Sequence, residues 1–159
     1  MLTNNLIKEL NKALPKENVL SDIEERYVYS VDASNDPYIK STLPDAIVFV
    51  ENIEQVQKVV KIANEQMTPI ICRGAGTNTV GACVSTHGGI ILNFSNMNKI
   101  LEINPENMTA KVQPGVVVGD LQQAVEKVGL FYPPDPSNLK VSTIGGSIAK
   151  NSAGARCFK

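Results

Sequence analysis

The sequence predicts an α+β fold of α/β-like order, with a helical start followed by alternating strands and helices. Three observations carry that expectation. Ala46–Val50 is an unbroken apolar run of the kind found in strands buried on both faces. Residues 53–66 carry an amphipathic helical stripe, and Pro69–Cys72 is a second short apolar run. Strand, helix and strand in that order favour a right-handed parallel unit.

The elements follow in order. Leu6, Leu10 and Ala13–Leu14 recur at helical spacing, and Pro15 ends that first helix. Ser21-Asp22-Ile23-Glu24 has the form of a capping box opening a second, short helix. Tyr29 to Leu43 is polar, is broken by Pro37, and reads as an ordered approach segment. Pro44-Asp45 then opens the strand Ala46–Val50. Asn52 with Gln55 caps the helix over 53–66, whose stripe is Ile53, Val56, Val59, Val60 and Ala63, with Lys58, Lys61 and Glu65 on the wet side. Thr68-Pro69 turns the chain into the next strand, and Ile90–Phe94 is another. Lys99–Asn104 and Met108–Gln113 flank Pro105-Glu106-Asn107 as a hairpin. A helix from about Gly119 to Val128 turns Leu121, Ala124, Val125 and Val128 inward, and Gly129 stops it.

Composition narrows the class. The 159 residues suit one domain with a real core, and 43% hydrophobic with 19% charged residues is ordinary for a soluble globular protein. A net charge of −1, from 15 basic and 16 acidic residues, gives no electrostatic case for nucleic acid or an anionic membrane. The longest strongly apolar runs, Ala46–Val50 and Ile90–Leu92, are too short to form a transmembrane segment, and Met-Leu-Thr-Asn-Asn lacks the features of a signal peptide. Cys72, Cys83 and Cys157 are an odd number without C-x-x-C spacing, which argues for a reducing compartment and against a metal site. Cys72 and Cys83 read as small core residues.

Residues 73–81, Arg-Gly-Ala-Gly-Thr-Asn-Thr-Val-Gly, follow a strand and are the most informative stretch. Gly74 and Gly76 let the backbone take φ > 0 and approach a neighbour closely. Such a loop exposes consecutive N–H groups suited to a phosphate or pyrophosphate. A strand-end glycine turn with no ligand fits the spacing equally well. A nucleoside-triphosphate loop is excluded, because no Gly-Lys-Ser or Gly-Lys-Thr is present. A nicotinamide-type fingerprint is disfavoured, because position 79 is Thr and residues 83–89 are a poor helix.

A second stretch is Tyr132-Pro133-Pro134-Asp135-Pro136-Ser137, followed by Thr143-Ile144-Gly145-Gly146-Ser147-Ile148-Ala149-Lys150-Asn151-Ser152-Ala153-Gly154. The prolines impose an extended path and remove backbone donors. The small residues after them let a flat or charged ligand reach the main chain, with Thr143, Ser147 and Asn151 as side-chain donors. Gly145-Gly146 also suits the start of a tightly packed helix containing Ile148 and Ala149.

Taken together, Pro-Asp-Ala before a strand, R-G-A-G-T at a loop, Q-P-G-V after a hairpin, P-P-D-P-S and T-I-G-G-x-I-A-x-N resemble the FAD-binding domain of the vanillyl-alcohol-oxidase (PCMH) type. Within it, the chain is similar to glycolate oxidase catalytic subunits and FAD-linked D-lactate dehydrogenases, from about Leu43 onward. The resemblance implies two α/β subdomains with FAD stretched between them. It assigns the pyrophosphate to Arg73, Gly74, Ala75, Gly76, Thr77, Asn78, Gly81 and Ala82. It assigns the wall beside the isoalloxazine and pyrophosphate to Pro134, Asp135, Thr143, Gly145, Gly146, Ser147, Ile148, Asn151 and Gly154. Members that attach flavin covalently from this loop carry His where this chain has Thr77. The only histidine, His87, reads as a turn residue, so non-covalent FAD is expected.

Asn78 and Ala82 stand where relatives commonly have glycine, and Ser147 where they often have Asn. Asn tolerates left-handed dihedrals, so the loop survives the change at 78. The chain stops at Cys157-Phe158-Lys159, where the family's domain continues and a substrate-binding cap follows. The resemblance therefore implies an N-terminal helical segment, 1–42, and an FAD-binding domain, 43–159, whose second subdomain is incomplete. No residue here is assigned a catalytic or metal-binding role.

The implied whole protein is a cytoplasmic FAD-dependent oxidoreductase, peripheral to the inner membrane through partners, that oxidises a glycolate- or D-lactate-type 2-hydroxy acid to the 2-oxo acid. Partner subunits or a homodimer are expected. Two other readings stand beside it. One is a non-catalytic flavin-binding or accessory subunit. The other is a related FAD reductase or hydroxylase subunit acting on a different substrate class.

Overall fold

A four-stranded mixed sheet and a two-stranded hairpin organise the chain, in a computed structural model that describes residues 2–35 and 37–157. Met1, Asp36, Phe158 and Lys159 lie outside the described residues, so parts of the N-terminus, the approach segment and the Cys157-Phe158-Lys159 terminus do too. Two compact units divide between Phe94 and Ser95.

In the first unit, α1 (Leu2–Ala13) buries Leu6 and Leu10 and packs against α3 (Ile53–Glu65). A single 3₁₀ turn, Lys16–Asn18, leads to the two-residue strand β1 (Val19–Leu20). The short helix α2 (Ile23–Val28) has Asp22 as N-cap, and the Glu25 carboxylate accepts from the Asp22 N–H at 3.3 Å. The cap thus falls one residue later than the Ser21…Glu24 pair expected, because Asp22 is the residue in extended geometry where the helix begins.

The sheet order is β1-β2-β4-β3, with β2 (Ala46–Phe49), β3 (Ile70–Arg73) and β4 (Ile90–Asn93). β1 is antiparallel to β2, while β4 is parallel to both neighbours, Ile91 lying opposite Ile47 and Ile71. The strand–helix–strand unit β2-α3-β3 is therefore not a pair of adjacent strands, since β4 inserts between them. Every residue of β4 is buried, and a strand apolar on both faces belongs at the centre, leaving β3 at the edge. Cys72 is accordingly exposed on β3 and not a core residue, whereas Cys83 is buried.

In α3 the Asn52 side chain accepts from the Gln55 N–H at 2.9 Å, and the Gln55 carboxamide in turn accepts from the Glu51 N–H at 2.8 Å. Turning Gln55 inward sets the phase of the helix. The buried face is Gln55, Val59 and Ala63, so Ile53, 65% exposed, and Val60 face outward rather than forming the stripe.

In the second unit, β5 (Ile100–Asn104) and β6 (Thr109–Val112) form an antiparallel hairpin. Helix α4 (Val118–Glu126) and the short helix α5 (Ile144–Ala149) contribute Val118, Leu121, Val125 and Ile144 to one core with Val116. Each such aliphatic side chain contributes about 1.5–3 kcal/mol by burial. Val128 lies beyond the helix and is exposed, while Gln122 occupies an inward position. Gly129 takes φ +77°, and the Leu130 N–H returns to the Val125 carbonyl at 3.0 Å, a glycine C-terminal stop. Residues 131–141 contain no helix or strand, as their prolines require.

Candidate cofactor site

The glycine loop leaves the carboxyl end of β3. Its left-handed steps are Gly76 (φ +74°) and Gly81 (φ +67°); Gly74, expected to share that role, does not take a positive φ. The reversal falls at Gly76 because the Arg73 guanidinium lies under it. A Cβ there would sit 2.3 Å from Nη2 of Arg73, and one on Gly81 would sit 2.8 Å from Cδ1 of Ile39.

Arg73 is turned toward the approach segment. Its Nη1 donates to the Val31 carbonyl at 2.8 Å and the Tyr29 carbonyl at 3.4 Å, and its guanidinium lies 5.4 Å from the Tyr29 ring centroid. That ring meets Phe49 edge-on at 5.8 Å. The Ala33 N–H reaches the Gly76 carbonyl at 3.2 Å, which adds a backbone tie to the loop.

Asn78 organises the next turn. Its Oδ1 accepts from the N–H groups of Ala82 at 2.8 Å and Val80 at 3.2 Å, and its Nδ2 donates to Cys83 Sγ at 3.0 Å. Asparagine side chains hold turns in this way, which is how the loop closes without a glycine at 78. Ala75 and Ala82 are exposed, and Gly74, Thr77 and Asn78 are half-buried.

Beneath the loop, Cys83 is 3.8 Å from Nη1 of Arg73 and donates toward Oδ2 of Asp32 at 3.7 Å. Burial raises its thiol, with Arg73 acting in the opposite sense. Burial also pushes the Asp32 carboxyl up, but hydrogen bonds from the Ser34 hydroxyl and N–H, Asn78 and Cys83 outweigh it and hold the group below its ordinary value. Asp32 gave no sign of this role in the sequence, because a single acid in a polar segment matches no motif.

Asp45, from the Pro-Asp-Ala motif, fixes the far end of the loop. Its carboxylate accepts from the Gly89 N–H at 2.7 Å, while its own N–H donates to the Gly89 carbonyl at 2.7 Å. His87 is exposed in this turn, its Nδ1 2.9 Å from the Thr86 hydroxyl.

In the second unit, Q-P-G-V and T-I-G-G prove to be one structure. The N–H groups of Ile144 and Gly145 donate to the carbonyls of Val116 and Pro114, each at 2.8 Å. Thr143 is the N-cap of α5, accepting from the Gly146 N–H at 3.3 Å. Gly145 packs tightly at the start of this helix: a Cβ on it would lie 2.7 Å from Cβ of Pro114. The first amides of α5 are thus committed within the unit. Thr143 and Ser147 are buried, Ile148 and Asn151 are exposed, and Gly146 has only the Thr143 hydroxyl near the position of a Cβ.

The proline segment is held from behind. Gln122, buried on α4, donates through Nε2 to the carbonyls of Pro134 at 2.8 Å and Tyr132 at 3.2 Å. Asp135 pairs with Arg156 at 3.3 Å, and Arg156 lies over the Phe131 ring at 5.9 Å. Gly154 (φ +150°) packs against the Asp135 carbonyl, 2.0 Å from where a Cβ would stand.

The glycine loop fits a dinucleotide diphosphate: residues 74–76 carry at most a methyl, and a cation lies directly beneath. Among the described residues, no three His, Cys, Asp or Glu side chains group to hold a metal ion. No helix among them is long and apolar enough to cross a membrane.

Comparison with known proteins agrees. Residues 44–159 match the family model described as FAD binding domain. The chain is 45% identical over 159 residues to glycolate oxidase subunit GlcD of Bacillus subtilis, covering 100% of this chain and 33% of the relative. It is 38% identical to D-lactate dehydrogenase of Anaerostipes hadrus, covering 99% and 32%. Among solved structures, p-cresol methylhydroxylase with substrate bound superimposes with a TM-score of 0.82 at 28% identity, covering 96% of this chain and 30% of that one. The chain belongs to the FAD-binding domain family of the vanillyl-alcohol-oxidase (PCMH) type, and FAD is its cofactor. It spans about a third of the length of the curated relatives it matches.

Proposed function

We propose that this chain is the N-terminal FAD-binding part of a flavin-dependent oxidoreductase acting on a 2-hydroxy acid of the glycolate or D-lactate type. The observation that carries the reading is the loop 73–82, a glycine turn over a guanidinium, in a chain 45% identical to a glycolate oxidase subunit. Residues 43–159 form the cofactor domain in this proposal, and residues 1–42 are a helical segment preceding it.

Arg73, Gly74, Ala75, Gly76, Thr77, Asn78, Gly81 and Ala82 form the diphosphate loop. Glycine removes side-chain bulk, neutral N–H groups share the charge, and Arg73 adds a positive field from below. Pro134, Asp135, Thr143, Gly145, Gly146, Ser147, Ile148, Asn151 and Gly154 form the second wall. Ile148 and Asn151 are its outward-facing groups, and the buried members hold its shape. FAD, when bound, supplies the acceptor for the hydride leaving the substrate's α-carbon, which with loss of the hydroxyl proton yields the 2-oxo acid.

The flavin is held without a covalent bond, because Thr77 occupies the loop position from which a histidine would attach it. A partner subunit in a cytoplasmic assembly is the matching expectation, supported by the word subunit in the glycolate oxidase relative's name. The test is anaerobic mixing of the full-length gene product with glycolate and with D-lactate. Bleaching of the visible flavin band by either acid is the expected result. A flavin that stays oxidised with every 2-hydroxy acid tried would sink the substrate class. Acid precipitation of the same protein should leave the flavin in the supernatant.

A further inference from the structure

The segment before the family match takes part in shaping the cofactor loop. Residues 29–34 lie outside 44–159, yet three independent ties run from them to the loop. Arg73 is held by the carbonyls of Tyr29 and Val31. The Ala33 N–H bonds the Gly76 carbonyl. The Asp32 carboxylate meets the thiol of Cys83, which the Asn78 carboxamide also contacts at 3.0 Å. The groups that contact the guanidinium are carbonyls, an aromatic ring and a thiol, and they orient its charge beneath Gly76.

We propose that Asp32 is a positioning residue for FAD, acting with Arg73, Asn78 and Cys83 as a polar pedestal that holds the glycine loop in its diphosphate-binding shape. Asp32 touches no cofactor atom in this proposal; it acts through Cys83 and Asn78, and Asn78 sets the turn that ends at Ala82. The role rests on the assignment of this loop to FAD and adds to it a region that the family match does not include. Polar clusters of this kind fix geometry because each member limits the others.

The test uses the whole 159-residue chain with three variants, Asp32→Asn, Arg73→Gln and Arg73→Lys. One readout, amide hydrogen exchange of Ala33, Val80, Ala82 and Val84, requires no cofactor; the other is FAD affinity of the full-length gene product from flavin fluorescence. Asp32→Asn and Arg73→Gln should speed exchange at those four amides while leaving β4 and α3 protected. They should also weaken FAD binding by about tenfold, the effect of losing one charge-assisted hydrogen bond. Arg73→Lys should recover part of the affinity, because its charge remains beneath Gly76. Unchanged loop exchange in Asp32→Asn, or exchange that rises equally in β4, overturns the pedestal. FAD affinity left unchanged by Asp32→Asn in the full-length gene product overturns the cofactor role of Asp32. The exchange comparison then still decides whether Asp32 holds the loop.

Discussion

Nε2 of Gln122 donates to the carbonyl of Pro134 at 2.8 Å, across a span in which the prolines themselves offer no N–H. An extended proline segment has no ladder to hold it, so its position depends on donors from elsewhere. Gln122 supplies them from the buried side of α4. Gln122→Met keeps the volume and removes the donor. It should cost about 1–3 kcal/mol of stability, the usual penalty for leaving a buried acceptor unpaired. Urea unfolding of the chain measures this, and an unchanged midpoint would mean that water replaces the amide at no cost.

Gly76 and Gly129 make a controlled pair. Both have positive φ, +74° and +77°, but a Cβ on Gly129 meets nothing within 4 Å while one on Gly76 meets the Arg73 guanidinium. Gly129→Ala should therefore cost only the left-handed backbone strain, about 1–2 kcal/mol. Gly76→Ala adds displacement of Arg73 and should be the more destabilising change, with loss of FAD binding. Equal unfolding free energies for the two variants would show that the guanidinium moves aside freely.

Asp32 has a defined pH signature. Burial opposes its ionisation, but hydrogen bonds from Ser34, Asn78 and Cys83 prevail, and the carboxyl lies below its ordinary value of 3.8. A carboxyl depressed by folding stabilises the native state above its unfolded value and loses that contribution as pH falls through the folded value. The charged or titratable side chains facing it are Cys83 and, through that thiol, Arg73. The stability gap between the parent and Asp32→Asn should hold steady above pH 3.8 and close below it. Unfolding titrations at a series of acid pH values test this, and a gap that grows on acidification contradicts it.

The thiols should differ in reactivity. Cys72 is exposed on the sheet edge and Cys83 is buried, and desolvation raises both thiols. The thiolate is the reactive form, so alkylation of both should accelerate as pH rises above neutrality. Cys72 should be labelled before Cys83. Mass spectrometry of briefly alkylated protein gives the order, and prior labelling of Cys83 would mean that the loop opens readily.

Features with a local cause were legible in the sequence. Asn52 caps α3 through a neighbour three residues away, Gly129 stops the fourth helix, and Pro105-Glu106-Asn107 joins the hairpin strands. The glycine loop was legible for the same reason, since small residues at a strand end need no distant partner to be noticed. Val59 and Ala63 of the expected α3 stripe are buried, but the inward turn of Gln55 was not legible, because a residue polar by type bonds the Glu51 N–H from that face. Gln122 was missed likewise, since its partners lie in a loop that packs against its helix.

By itself, then, the sequence determined the succession of strands and helices, the two small-residue stretches, and the motif order that places the chain among FAD-binding domains. Only the tertiary structure decided that β4 sits between β2 and β3, and that Arg73 turns to carbonyls 42 and 44 positions earlier. It also decided that the first amides of α5 bond the Pro114–Val116 segment. The physical reason is the range of the interactions. Periodicity and capping act within a few residues, whereas strand order and the partners of a guanidinium or carboxamide depend on which distant backbone groups the packed core brings within 3 Å.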